Sequence, residues 1–349
     1  MEDGSKRIVE LYNSANKNKE SIALLNENGR DFSVAEMTVL SCLAIVAREA
    51  EQSKMPNLAK EVDYDSVIKT LILNSLDGKI DGLKKQEEYS KIIEAYKNIE
   101  PGAAYGANIV YRGMLDNFAP YLDPVYKEEV FVYENLRLQE LIRKGHIYWG
   151  ANKERLESIL EHIYGCLVLA IGLESEYSYC IDFNKLFKML LIHETGEIAI
   201  GDLTEWDISE SEKKDIERKA VVSILSKLSG GEGLIKLFDE FNSKSTLVAE
   251  YANLIDKLEY DMQVKVYEDN GAYDFSNYPK NVVTESKRVK DIIESGACGV
   301  FDVHYQYDKN RYHKFPCMRR ILEETKNFDF TKAEKTEIAK VPRLRKIIN

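Results

Sequence analysis

The sequence predicts an all-α protein, two helical bundles in tandem with a C-terminal extension, and three observations carry that expectation. Apolar residues recur at helical spacing along most of the chain, and strict strand-type alternation is hard to find. The 349 residues include only 7 prolines, with none between Asp182 and Glu240, so long helices can run uninterrupted. Three blocks of the first half also reappear, in the same order, in the second half.

The repeat sets the order of the elements. RDFSVAEM (Arg30 to Met37) lies on RLESILEH (Arg155 to His162), keeping Arg, Ser, an aliphatic residue and Glu in register. VDYDSVIKTLILNSLDG (Val62 to Gly78) lies on IDFNKLFKMLLIHETGE (Ile181 to Glu197) without a gap. YRGMLDNFAPYLDPVYKEE (Tyr111 to Glu129) lies on YANLIDKLEYDMQVKVYED (Tyr251 to Asp269), with Asp116 opposite Asp256. The alternative is that amphipathic helices simply resemble one another. Read as a duplication, the chain divides into residues 1–130, 131–270 and an extension, 271–349, that is partly helical.

Within the second copy, Ile159, Ile163, Leu167 and Ala170 define a core helix. In the next helix Phe183, Leu186, Phe187, Leu190 and Leu191 follow the i, i+3, i+4, i+7, i+8 rule, and His193 and Glu197 are expected to continue the stripe. Ile216, Ala220, Val221, Ile224 and Leu228 define a third, behind the stretch SESEKKD.

Composition narrows the function. With 44% apolar residues the chain can bury sizeable cores. A net charge of −11 disfavours a nucleic-acid polymer as partner, because each backbone contact needs a Lys or Arg, but leaves a single nucleotide open. MEDGSKRIVELYNSANKNKE lacks the apolar core of a secretion signal, and no run of about eighteen apolar residues suits a membrane span, so the expected location is the cytoplasm, without membrane contact. Cys42, Cys166, Cys180, Cys298 and Cys317 form no CxxC pair, which fits reduced thiols.

The second copy concentrates metal-binding groups: the imidazoles of His162 and His193, and the carboxylates of Glu194, Glu197, Asp202 and Asp256. Imidazole with carboxylate suits Mn, Fe, Co, Ni or Zn. Each histidine sits among apolar neighbours and points into a bundle, where it needs a partner. The bland alternative is a pair of separately satisfied core histidines. Against it, the first copy keeps the apolar frame but has Met37, Asn74, Ser75 and Gly78 where the second has His162, His193, Glu194 and Glu197.

ESILEH, LLIHETGEIAIGDLT and LIDKLEYDMQVKVYED together resemble the successive motifs of the HD-domain phosphohydrolases, specifically the 5′-deoxynucleotidase branch: an EH pair, HDxxE, GD and a later LxDKLE. The resemblance covers about residues 135 to 270 and, in degenerate form, about 5 to 130. It implies two HD-type bundles and one divalent ion (Mn, Co, Fe, Ni, Zn or Mg) held by His162, His193, Glu194 and Asp256. Glu194 stands where the family has Asp, and its extra methylene shifts the carboxylate on the scale of the ~2 Å coordination distances. The resemblance also implies that Glu197 and Asp202 act beside the metal on a phosphate ester and its attacking water. A solvated helix-surface glutamate is the alternative for Glu197, and a turn or capping residue after Gly201 is the alternative for Asp202.

Phosphate also needs cations. Arg155 could fork onto phosphate oxygens or instead pair with Glu157 or Glu161. The family's Arg-Trp pair has no direct counterpart in LIRKGHIYWGANK, where Arg143, His146 and Trp149 are candidates. Lys257 and Glu259 read as structural. In the extension, His304 and His313 read as packing or surface groups; the interleaved aromatic and basic residues could stack a base, although a docked helix is the simpler role.

The expected activity is therefore hydrolysis of a nucleoside 5′-monophosphate or a similar small phosphate ester. Its rivals are a deoxynucleoside triphosphohydrolase and a catalytically weak nucleotide-binding regulator. Because members of this branch form homodimers, the resemblance further implies that the first copy acts as a built-in partner: a monomeric pseudo-dimer, or failing that a homodimer, with the halves packed about a pseudo-two-fold axis.

Overall fold

Capping residues mark where the helices begin. In this computed structural model, which describes residues 4–26, 29–54, 63–98, 127–177, 179–203 and 207–332, α1 (Gly4–Glu20) leads into a two-stranded antiparallel ribbon, β1 (Ile22–Leu24) with β2 (Phe32–Ser33). Helix α2 (Val34–Gln52) starts at Ser33, whose hydroxyl accepts from Glu36 N–H while the Glu36 carboxylate accepts from Ser33 N–H. α3 (Tyr64–Ser75), capped by Asp63, and α4 (Gln86–Asn98) come next.

The second half begins with α5 (Lys127–Asn135) and the short α6 (Lys144–Tyr148). Helix α7 (Ile159–Glu176) repeats the capping box of α2, with Ser158 and Glu161. α8 (Phe183–Ile192) is capped by Asp182 as α3 is by Asp63. Then come α9 (Glu197–Ile200), α10 (Glu210–Leu225), α11 (Gly231–Ser243) and the long α12 (Leu247–Asp269). The extension supplies α13 (Lys287–Glu294), α14 (Val300–Asp308) and α15 (Pro316–Asn327), with Pro316 at the first turn of α15, where a missing N–H costs nothing. The fold is all-α, and none of the described helices is long and apolar enough to cross a membrane.

Helix α7 is the axis of the core. Every residue from Ile159 to Leu173 is buried, as expected of a helix that is covered on all sides. It packs against α1, α2, α8 and α12, while α2 packs against α3, α5 and α7. Contacts across the α2–α7 junction are reciprocal. Arg30 donates to Glu161 at 2.6 Å and to the Leu156 carbonyl; Arg155 donates to Glu36 at 3.0 Å and to the Asp31 carbonyl. Farther out, Lys69 pairs with Glu174 and Lys188 with Glu49, both at 2.7 Å.

Two sequence expectations change at this level. The stripe of α8 does not run on as helix: α8 stops at Ile192, His193 caps it, and a turn separates it from Glu197. Ile216 is 43% exposed, while Ala220, Val221, Ile224 and Leu228 are buried as expected. Asp116 and Leu115, with most of the block Tyr111 to Glu129, lie outside the described residues.

Candidate metal centre and substrate cavity

Two helices and one turn bring the ligand-type residues together. α7 presents His162, the turn after α8 presents His193 and Glu194, and α12 presents Asp256. One ligand atom from each lies within 4.8 Å of all the others, and all four residues are buried. His162 Nε2 is 3.1 Å from Asp256 Oδ1 and 3.7 Å from Glu194 Oε1; His193 Nε2 is 3.5 Å from the same Glu194 oxygen.

The second ring nitrogens fix the orientation. His193 Nδ1 lies 2.7 Å from the Leu190 carbonyl, which makes it the donor and leaves Nε2 with a bare lone pair. His162 Nδ1 lies 2.5 Å from Glu259 Oε2. That approach requires Gly165 one turn along α7, because a Cβ there would meet the Glu259 carboxylate at 2.1 Å. A carboxylate behind a ligating histidine fixes its tautomer and raises its basicity.

These residues fit a divalent cation. His193 Nε2 and Asp256 Oδ1 are buried without a hydrogen-bond partner, a costly arrangement unless another group meets their lone pairs. Burial lowers the basicity of His193, which keeps it neutral as a ligand must be. Burial alone would raise the Glu194 carboxyl, but His193 and Arg143 outweigh it and hold the group at about 2. Asp256 is likewise held down, by Lys257 and His162 against its burial.

Around this centre is a cavity of about 390 Å³. It is lined by the charged groups Arg143, Glu194, Glu197, Asp202, Lys213, Glu217, Asp256 and Lys257 and, beside them, by Trp149, Tyr260, Val303, His304, Tyr307 and Arg311; the Arg143 guanidinium lies 5.9 Å from the centre of the Tyr260 ring. Arg143, the residue that starts α6, aims its guanidinium at three carboxylates: 2.9 Å from Glu194, 3.7 Å from Asp256 and 4.0 Å from Asp202. Burial, then Glu194 and Asp202, push the Glu197 carboxyl well above its usual range, and its Oε2 lacks a partner. Asp202 follows Gly201, whose φ of 73° reverses the chain, and accepts from Lys144 N–H at 2.6 Å, so it both faces the cavity and anchors α6.

Residues 134–295 match the HD domain family. The chain is 32% identical over 140 residues to the 5′-deoxynucleotidase HDDC2 of Dictyostelium discoideum, spanning 38% of this chain and 73% of that protein. It is 33% identical over 151 residues to the 5′-deoxynucleotidase hdd1 of Schizosaccharomyces pombe, spanning 41% and 74%. The human 5′-deoxynucleotidase HDDC2 is 26% identical over 136 residues, spanning 38% and 64%. This chain belongs to the HD-domain phosphohydrolases, in the 5′-deoxynucleotidase-like branch.

For an HD-domain protein the substrate-side assignments need one correction. Arg155 does not line the cavity: its guanidinium is fastened to Glu36, to Glu161 at 2.8 Å and to the Asp31 carbonyl, because two buried capping-box carboxylates facing one another need countercharge. Arg143 and Trp149 do line it. His146 lies behind the wall, its Nδ1 2.8 Å from Tyr273 OH.

Several residues of the site escaped the sequence reading. Glu259 is the orienting partner of His162 rather than a merely structural group, and Lys257 lies 3.1 Å from Asp256. Glu217, pushed up to about 7 by burial and then by Glu194, faces the same cavity from α10. His304, read as packing or surface, lines it from α14. Their sequence signal was only a polar residue on an otherwise apolar helix face.

Proposed function

We propose that this protein hydrolyses deoxynucleoside 5′-monophosphates to nucleoside and inorganic phosphate, with one divalent ion held by His162, His193, Glu194 and Asp256. The observation that carries this reading is the buried convergence of those four groups, two with unpartnered ligand atoms, beside a cavity of ligand size. The similarity to 5′-deoxynucleotidases supports the same substrate class.

A divalent ion held there would lower the pKa of a water molecule and polarise a phosphoryl oxygen. Arg143 holds the phosphate in line, its guanidinium fork meeting two oxygens. Glu197 orients the attacking water and takes its proton, a role suited to a carboxylate whose proton affinity is raised by burial and by Glu194. The water oxygen bonds to phosphorus, the bond from phosphorus to the 5′ oxygen breaks, and that oxygen takes up the proton that Glu197 removed from the water. Asp202 keeps α6, and with it Arg143 and Trp149, in position.

Charge favours a monophosphate over a triphosphate. Each of the four cavity cations already has a partner: Arg143 has Glu194, Lys257 has Asp256, Arg311 has Asp308 and Lys213 has the Leu203 carbonyl. These four cations stand among six acidic side chains, Glu194, Glu197, Asp202, Glu217, Asp256 and Asp308, a balance that suits the charge of a monophosphate better than that of a triphosphate. Assaying phosphate release from deoxynucleoside monophosphates, beside triphosphate release from the triphosphates, over a metal panel tests the reading. Triphosphate as the main product would replace it with a triphosphohydrolase, and tight binding without turnover would leave a regulator.

We read the two halves as a degenerate and a metal-binding copy, 1–130 and 131–270, with 271–349 as extension. The reciprocal contacts support this. Arg30, Glu36, Glu49 and Lys69 sit at the repeat positions of Arg155, Glu161, Glu174 and Lys188, and each Arg or Lys pairs with the acidic residue of the other half. That is the signature of an isologous interface within one chain, which makes a monomeric pseudo-dimer the expected assembly. The cytoplasm remains the expected location, in keeping with five unpaired cysteines.

A further inference from the structure

The HD match ends at residue 295, yet Val303, His304, Tyr307, Asp308 and Arg311, all beyond that point, line the same cavity. Helix α14 packs on α12 and lays Val303, His304 and Tyr307 along the cavity wall. The His304 ring meets Tyr260 edge-on, with centroids 5.2 Å apart, and Trp149 at 5.8 Å, so three aromatic rings from three segments converge. The Arg288 guanidinium lies 3.5 Å from the centre of the Tyr307 ring and steadies this cavity-lining side chain.

One polar atom in this apolar wall is unaccounted for. His304 Nε2 is buried and has no hydrogen-bond partner, while Nδ1 is 3.9 Å from Asp261, beyond hydrogen-bond reach. Burial, followed by His146, drives the ring's pKa down to about 3, so it stays neutral. Among the described residues His304 belongs to no group of ligand atoms able to hold a metal. A neutral ring nitrogen among aromatic and aliphatic side chains matches a flat, uncharged, hydrogen-bonding heterocycle.

We infer that α14 forms the nucleobase subsite of this enzyme, with Tyr307 stacking on the base and His304 Nε2 hydrogen-bonding to its edge. The inference rests on the nucleotidase reading: the metal ligands and Arg143 take the phosphate, and the aromatic part of the lining is left for the nucleoside. It makes the extension beyond the HD domain the specificity determinant of this chain.

The test is steady-state kinetics of the full chain on the four deoxynucleoside monophosphates and on 2-deoxyribose 5-phosphate, which carries no base. Stacking on one aromatic side chain accounts for about 5- to 150-fold in affinity, so Tyr307→Leu should raise KM for the nucleotides by that factor and change kcat/KM for the base-free ester by less than about 2-fold. His304→Phe keeps the ring but removes the hydrogen bond, and should shift the ranking among the four bases by about 2- to 12-fold. Equal losses on the base-free ester, or unchanged KM values and ranking, would overturn the inference. If the wild-type chain hydrolyses none of these phosphates, it is the nucleotidase reading that fails. Calorimetric titration with the deoxynucleosides then decides the subsite: binding that Tyr307→Leu weakens upholds it, and no binding by the wild type overturns it.

Discussion

Replacing Lys19 by Met removes one buried charge from the first half of the chain and should damage the centre in the second. Lys19 Nζ, on α1, lies 2.5 Å from Glu157, 2.7 Å from Glu259 and 2.9 Å from Gln263, and its side chain is only 6% exposed. Glu259 in turn holds His162 Nδ1, so the ammonium stands two bonds of contact from a proposed metal ligand. Met keeps the length of the side chain, and the variant leaves Glu157 and Glu259 buried without that cation, at a cost of about 3–5 kcal/mol. For a chain of this size the unfolding entropy is about 0.7 kcal/mol per kelvin, so Tm should fall by about 4–7 °C, read by thermal unfolding with a chelator present. Weakening the carboxylate behind His162 should also lower the affinity for Mn, measured by calorimetric titration, about 10- to 100-fold. In a Glu259→Gln background the effect on metal affinity should largely vanish. A Tm within about 1 °C of wild type would refute the argument that this cation compensates the buried acids.

The other expectations concern chemistry, pH and assembly. Glu197→Gln should lower kcat about 100-fold or more with metal still bound by equilibrium dialysis; loss of the metal would make Glu197 a ligand instead. Glu194→Asp should keep or raise phosphate release, and a dead enzyme would mean that the pocket has adapted to the longer side chain. Glu36 is pushed up to about 7 by burial and then by Glu161, so the folded state holds its proton more tightly than the unfolded state. Its contribution to stability is therefore present below the unfolded value, near 4.5, and is lost as pH rises to about 7. The depressed carboxyls, such as Glu194, are ionised in both states across that window and do not offset it. Buried neutral histidines such as His304 act in the opposite sense, and Glu217 in the same sense as Glu36, so the test is a difference: Glu36→Gln should lose less Tm than the wild type between pH 5 and pH 8, and equal slopes would assign the dependence elsewhere. Expressing residues 131–349 alone would uncover the faces of α7 against α1 and α2, and light scattering should report aggregation or new dimers; a soluble, active monomer would dispose of the pseudo-dimer.

Local chemistry made much of this protein legible in its sequence. A helix is specified by residues three and four apart, so the apolar stripes announced α7, α8 and α10 and the core they build. His162, His193, Glu194 and Asp256 stood out because ionisable groups amid apolar stripes must find partners when they are buried. Other features depended on contacts between distant residues. Arg155 has the same neighbours in sequence whether it grips a substrate or Glu36, 119 positions away; only the meeting of α2 and α7 decided for Glu36. Lys19 and Glu259 are separated by 240 positions. His304 reaches the cavity because α14 packs on α12, and nothing within a few residues of it records that approach. Sequence alone thus determined the helices and the ligand types, whose causes act within one or two turns of backbone. Which charges neutralise one another, and which wall closes the cavity, was decided by tertiary packing, because burial and electrostatic pairing depend on separation in space rather than along the chain.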